Sequence, residues 1–247
     1  MTPKVHFHAL GRAAYTPSLA LQERFLKQAV DRKKMRRDAG LEGKDLSGNP
    51  DLDLPENHLI FVEHDHVLTL GKTGDIGHVV ASEQRLKELG VEYYPTNRGG
   101  DITYHGPGQL VGYPILDLEQ FYTDIGKYMR MLEEAIIRCC ADYGVKTGRI
   151  EGLTGVWVNP DSGLAARKIA ALGVKCSRWV TMHGFAFNIN TDLQFFDLIV
   201  PCGIGDRGVT SLSIECGHSV DTEEVKKSVL NHLGDLFQWN LVEGSRN

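Results

Sequence analysis

Cys202 stands in the run Pro201-Cys202-Gly203-Ile204-Gly205, directly after the apolar stretch Leu198-Ile199-Val200. A thiol in a glycine-bracketed bend has room for a substrate and free backbone N–H groups to hold an oxyanion. At its ordinary pKa of about 8.5 such a thiol is only a few per cent thiolate near neutral pH, so a nucleophile here needs a cation beside it. A buried structural cysteine fits the same local signal, because free cysteines are among the most buried residue types. Lys168 is a candidate cation. It opens the small-residue segment Lys168-Ile169-Ala170-Ala171-Leu172-Gly173. Half burial there would draw its pKa toward neutral. The plainer alternative is a lysine with its stem along a strand edge and its ammonium in water.

A second segment carries a different signal. Residues 98–109 read Arg98-Gly99-Gly100-Asp101-Ile102-Thr103-Tyr104-His105-Gly106-Pro107-Gly108-Gln109, with four glycines and a proline around a strand-like core. Such a backbone suits close approach to a bound ligand, and it equally suits a β-hairpin with a tight turn. His183-Gly184-Phe185-Ala186 is a further small-residue strand start with a polar group. Other motifs are weaker. Gly71-Lys72-Thr73 lacks the glycine five positions upstream that a phosphate loop requires, since His66 stands there, and is expected to be a turn. The pairs His6/His8 and His64/His66 each place two imidazoles on one strand face, but no third ligand has metal-site spacing, so no metal is expected.

The elements that must position these residues follow from periodicity. At 247 residues the chain suits one large α/β domain. A strand is expected over 5–8, then a helix with Thr16 as N-cap and Pro17 at its first position. That helix ends in the basic run Arg32-Lys33-Lys34-Met35-Arg36-Arg37, which reads as a solvated helix end or as a dock for an acidic partner. Residues 39–57 read as a long, flexible insertion loop. Segments 59–63 and 67–70 read as a strand pair, and Ser82 caps a short helix that Gly90 stops. Strands follow over 91–94 and 110–118, with Pro114 placing the latter at an edge or bend. A helix covers 124–143, and strands cover 155–158, 168–174 and 182–189. The last helix opens at Asp221, with Glu224 completing a capping-box-like pair and Val220 with Val225 a hydrophobic staple. Helices flanking many strands imply α+β or mixed α/β architecture, with a largely antiparallel, mixed sheet.

Bulk properties narrow the function classes. A net charge of −5 argues against a general nucleic-acid binder. No apolar run approaches a membrane span, and residues 1–12 do not resemble a signal or transit segment, so a cytoplasmic protein is expected. The cysteines Cys139, Cys140, Cys176, Cys202 and Cys216 are odd in number and lack Cys-x-x-Cys spacing, which suits free thiols. Cys139 and Cys140 are expected to be small apolar helix residues.

Taken in order, the segment 98–109, Gly155-Val156-Trp157, the segment 168–173, His183-Gly184-Phe185-Ala186, Asn188 and Pro201-Cys202-Gly203 resemble the lipoyl (octanoyl) transferases of lipoate biosynthesis. The likeness runs from about residue 58 to 215. It implies the fold shared by lipoate ligases and biotin protein ligases, in a single acyltransferase domain over 1–247. The implied reaction moves an octanoyl group from octanoyl-acyl carrier protein, through a Cys202 thioester, to a lysine of a lipoyl domain. Acceptors would be the lipoyl domains of 2-oxoacid dehydrogenases and the glycine cleavage H protein. Lys168 would be the acid–base partner of Cys202. Arg98, Gly99, Gly100, Asp101, Ile102, Thr103, Tyr104 and His105 would line the acyl site, with Ala171, Leu172, Gly173, His183, Gly184, Phe185 and Ala186. No cofactor, ATP or metal is implied, because the donor is already activated, and a monomer is expected. Two features depart from the family pattern: the 39–57 insertion is longer than usual, and Asp101 and Phe185 occupy variable positions. The rival readings are an ATP-dependent lipoate or biotin ligase, an amidotransferase of the same fold, and a non-catalytic lipoyl-domain or carrier-binding module. The ligase would not need Cys202, the amidotransferase would carry its nucleophile elsewhere, and the joint presence of Lys168 and Cys202 argues against the module.

Overall fold

The computed structural model describes residues 2–41, 53–200 and 208–244. In chain order the elements are β1 (Lys4–Ala13), α1 (Tyr15–Asp38), β2 (Asn57–His64), β3 (Val67–Leu70), α2 (Glu83–Glu88), β4 (Glu92–Pro95), β5 (Ile102–His105) and β6 (Gln109–Ile115). They continue with α3 (Ile125–Asp142), β7 (Thr147–Ile150), β8 (Leu153–Val158), β9 (Arg167–Ser177), β10 (Val180–Asn188), β11 (Gly208–Val209), α4 (Leu212–Cys216), α5 (Thr222–Phe237) and β12 (Asn240–Glu243). The large sheet has the order β12-β1-β2-β6-β10-β9-β8-β7, with β11 also paired to β9, and a small sheet has the order β4-β3-β5. Pairing is antiparallel from β2 through to β7 and parallel at β1–β2, β1–β12 and β9–β11, so the sheet is mixed.

Helices cover both faces of the large sheet, which is why its central strands are apolar almost without alternation. On β2, Leu59 and Phe61 face one side and Ile60 and Val62 the other. The first side packs on Leu132, Ile136, Cys139 and Cys140 of α3 and on Val225, Val229 and Leu233 of α5. The second packs on Phe25, Leu26 and Ala29 of α1. The helix ends follow local chemistry. Asp124 accepts from Lys127 N, Ser82 from Arg85 N, and Asp221 from Glu223 N and Glu224 N. Val220 and Val225 are buried together at the start of α5. Among the described residues, no helix is long and apolar enough to cross a membrane.

Tertiary pairing overrides several local expectations. α1 begins at Tyr15 and Ala14 caps it without a side-chain bond, so Thr16 is not the N-cap. Pro17 still lies in the first turn, where its missing N–H costs nothing. Segments 59–63 and 67–70 do not pair. β2 joins β1 and β6, while β3 joins β4 and β5 in the other sheet. Likewise β5 and β6 form no hairpin, because the Gly106-Pro107-Gly108 turn carries the chain from the small sheet to the large one. Pro114 is in a central strand rather than an edge. The β6–β10 ladder runs only from Asn188↔Gln109 to Phe185↔Gly112 and is interrupted at His183, whose φ is +61°, so Pro114 has no ladder bond to donate there. The basic run is only partly solvated: Lys33 pairs with Asp117 and Glu119, and buried Arg36 donates to Leu41 O. Of the 39–57 loop, residues 42–52 lie outside the described residues, and Asn57 already belongs to β2.

The buried imidazoles make stability depend on pH. His58 stacks on Phe25 at 3.7 Å between ring centroids, and burial, then neighbouring His8, pushes its pKa down to about 3. Burial similarly lowers His183 and His105 to about 3. The unfolded chain binds these protons near pH 6.5, so the stabilisation is present above that pH and is lost as pH falls toward 3. Each imidazole contributes a slope of up to about 1.4 kcal/mol per pH unit. The urea midpoint is therefore expected to fall between pH 7 and pH 5, a window above most carboxylate titration. A flat midpoint across that window would contradict this account.

Candidate active site

The small sheet lies over the middle of β9 and β10, and a cavity of about 630 Å³ lies between them. Arg98, Gly99, Gly100, Asp101, Ile102, Thr103 and His105 line it from the small-sheet side. Lys168, Ala171, Leu172, Gly173, His183, Gly184, Phe185 and Ala186 line it from the large sheet. Strand alternation turns Tyr104 away. Its hydroxyl lies 2.8 Å from His66 Nδ1 and its ring stacks on Phe195, so it belongs to the small-sheet core and not to the cavity wall. Cys202 lies outside the described residues.

The chain from 98 to 109 is fixed by a directional hydrogen-bond series. Arg98 donates to Thr69 O at 2.6 Å and to Thr69 Oγ1 at 3.0 Å. Thr69 Oγ1 lies 3.3 Å from His105 Nε2, and His105 Nδ1 lies 2.8 Å from Gln109 Oε1. Because burial keeps His105 neutral, Nδ1–H donates to Gln109 and Nε2 accepts from Thr69. Gln109 donates to Asn188 Oδ1 at 2.9 Å, and Asn188 donates to Thr210 O at 3.0 Å. Thr210 N in turn donates to Lys168 O. The polar residues of the motif thus link the small sheet to the strand that carries Lys168.

Lys168 reaches the cavity over Trp157, with Nζ 4.7 Å from the ring centroid, a cation–π contact. Gly155 makes room for its stem. At φ +133°, a Cβ on Gly155 would lie 3.2 Å from Lys168 Cε and 2.9 Å from Ala170 O. The fully buried carboxylate of Glu133 holds that glycine by accepting from Gly155 N at 3.0 Å, and Arg149 and Arg130 neutralise it at 2.9 and 3.0 Å. Glu133 gave no sequence signal, because a charged residue on a mostly apolar helix face reads as solvated. Tyr15, Tyr113, Met129, Thr154, Phe196 and Val209 also line the cavity. They come from scattered elements and share no motif.

Gly173 closes the wall behind Arg98. A Cβ there would lie 2.7 Å from Gly99 O and 3.3 Å from Arg98 Cδ, where Gly99 N already donates to Val174 O at 2.9 Å. Gly173→Ala is expected to cost about 1–3 kcal/mol by overpacking. It should also raise KM for the substrate bound in this cavity by about tenfold, the equivalent of about 1.4 kcal/mol at the displaced wall. Steady-state kinetics check this; an unchanged KM would contradict it.

The cavity thus combines apolar walls, a few convergent polar groups and the Lys168 ammonium, the features of a small-molecule site. Comparison with known proteins agrees with this geometry. Residues 14–234 match the lipoyl protein ligase A/B catalytic domain. The octanoyltransferase of Flavobacterium johnsoniae is 51% identical over 98% of this chain and 100% of its own length. That of Christiangramia forsetii is 49% identical over 98% and 99%. Among solved structures, lipoate-protein ligase A bound with ATP superposes with a TM-score of 0.66 at 15% identity, covering 100% of this chain and 90% of that one. A bi-partite lipoate protein ligase from Thermoplasma acidophilum gives 0.67 at 16%, covering 99% and 88%. The structural likeness establishes the fold, and the sequence likeness establishes that this chain belongs to the lipoyl protein ligase A/B catalytic-domain family, alongside its octanoyltransferases.

Proposed function

We propose that the protein transfers an octanoyl group from octanoyl-acyl carrier protein to a lysine of lipoyl domains, through a thioester on Cys202 with Lys168 as its acid–base partner. One observation carries the assignment of these two residues. The chain on either side of residues 201–207 is anchored at the cavity: Val200 N donates to His78 O at 2.8 Å, and Gly208 and Val209 pair with Arg167 and Lys168. His78, Lys168 and Val209 all line the cavity. These anchors bring the described ends of the chain on both sides of that segment to the cavity wall, which supports pairing Cys202 with Lys168.

The chemistry closes without an added cofactor. The Lys168 ammonium stabilises the Cys202 thiolate, which attacks the donor thioester and exchanges one thioester for another at little free-energy cost. The departing carrier thiolate takes the proton from Lys168. The resulting neutral amine then deprotonates the target lysine, whose free pKa of about 10.4 keeps it protonated at pH 7. Amine attack on the enzyme thioester breaks the C–S bond, returns its electron pair to sulfur as the thiolate, and releases the second amine proton to water, leaving the amide.

The rival within the family is ATP-dependent activation of a free acid. A reconstituted assay distinguishes them. Octanoyl-carrier protein and a lipoyl domain of a 2-oxoacid dehydrogenase, or the glycine cleavage H protein, are expected to give the octanoylated acceptor without nucleotide. Product formed only from free octanoate and ATP would contradict the transferase assignment.

A further inference from the structure

A carboxylate that no water reaches is costly to keep on a helix face turned toward a core. Glu133 is such a group: it is fully buried in α3, beside Leu132, Ala135 and Ile136. An apolar side chain would serve packing better there. Both of its oxygens are committed. Oε2 accepts from Arg149 Nε of β7 at 2.9 Å, and Oε1 faces Arg130 at 3.0 Å and accepts from Gly155 N of β8 at 3.0 Å. Arg149 also donates to Arg130 O and to Glu134, both at 2.8 Å. One carboxylate thus ties α3 and the β7–β8 pair at a single point, and the backbone it holds lies against the stem of Lys168.

The register of β8 and β9 shows what that hold accomplishes. Val156 pairs with Ala170, but the next residue, Trp157, pairs with Lys168, so Ile169 is the extra residue of a β-bulge. An unbroken ladder would set Lys168 opposite Val158, whose side chain is buried in the core. A one-residue slip reverses the face. The bulge therefore sends Ile169 and Ala170 into that core together and leaves Lys168 on the face of Trp157, with Nζ 4.7 Å from the ring centroid. Gly155 braces the bulge from β8. Its φ of +133° is one that L side chains rarely adopt, and a Cβ there would lie 2.9 Å from Ala170 O and 3.2 Å from Lys168 Cε.

We infer that Glu133 is a positioning residue for Lys168. By holding Gly155 N it fixes β8 against the bulge, and the bulge keeps the ammonium over Trp157 at the cavity wall. Leu153 and Thr154, which lead into Gly155 on the same strand, line that cavity too, so the hold also sets this part of its wall. The effect on catalysis rests on the transferase function proposed above; the placement of Lys168 does not.

NMR of the full-length protein reads the placement once its lysines are reductively methylated with isotope-labelled formaldehyde, which keeps them charged. The Lys168 signal is the one missing from Lys168→Arg, and the Trp157 ring current should shift it upfield of exposed lysines. Glu133→Met is expected to move it to the exposed-lysine position and to lower kcat for octanoyl transfer by about tenfold or more, with KM little changed. Glu133→Gln keeps an acceptor for Gly155 N and should retain both the shift and most of kcat. Gly155→Ala, with Glu133 intact, should lose the shift as Glu133→Met does, and it serves if the latter does not fold. A merely structural carboxylate predicts lower stability in Glu133→Met with the Lys168 signal unmoved. That result, or an unmoved signal in Gly155→Ala, would overturn the assignment. A lost shift with undiminished kcat would support the placement and overturn instead the role proposed for Lys168.

Discussion

Cys202→Ser is expected to abolish octanoyl transfer, lowering it on the order of 10⁴-fold or more in a variant shown to be folded by circular dichroism. The size of the effect follows from the chemistry of the donor. Thioester exchange onto sulfur is nearly isoenergetic and uses a nucleophile that can be ionised near neutral pH. Serine would have to ionise an alcohol and form a less activated oxygen ester, which a lysine amine attacks slowly. A buried structural cysteine predicts the opposite: serine would leave transfer nearly intact and cost only stability. Residual transfer above about a tenth of wild type would favour that alternative. The anchors at Val200–His78 and Val209–Lys168 are why the larger effect is expected.

Lys168→Met is expected to lower kcat by about 10³-fold, with little change in stability, because methionine keeps the stem over Trp157 and removes only the ammonium. On the proposed mechanism two functions disappear together: the cation that holds the thiolate, and the proton carrier between the two half-reactions. Lys168→Arg separates them. Arginine retains the charge but does not exchange its proton, since its pKa exceeds about 12. Thiol alkylation across pH reports the first function. Its midpoint should lie below about 8.5 in the wild-type protein, stay low in Lys168→Arg and rise toward about 8.5 in Lys168→Met. Transfer should be poor in both variants. An alkylation midpoint unaffected by Lys168→Met would contradict the pairing of Lys168 with the reactive thiol.

What the residues reveal on their own depends on the kind of information each carries. α3 and α5 are legible because period and capping are local: Asp124 and Asp221 take the caps their types suggest. The strands are legible individually but not in their pairing. Segments 59–63 and 67–70 look like partners and belong to different sheets, since nothing near His64-Asp65-His66 encodes which neighbour completes each ladder. Pro114 misleads for a related reason: its cost depends on a break in a strand some seventy residues away. Most of the described cavity lining is legible, because its glycines and polar groups form an ordered motif set. Tyr104 is the exception, since strand alternation turns it off the cavity wall that its neighbours line. Glu133 and Tyr15 carry no such signal. Their places beside the cavity arise only when α3 and α1 are packed against the large sheet.

The central claim is a covalent octanoyl-thioester on Cys202, and intact mass spectrometry of the protein mixed with octanoyl-acyl carrier protein tests it most directly. The expected result is the mass gain of one octanoyl group in the wild-type protein, without ATP, absent in Cys202→Ser and discharged on addition of a lipoyl domain. An unmodified wild-type mass under conditions where the lipoyl domain becomes octanoylated would contradict it, as would an equal gain in Cys202→Ser.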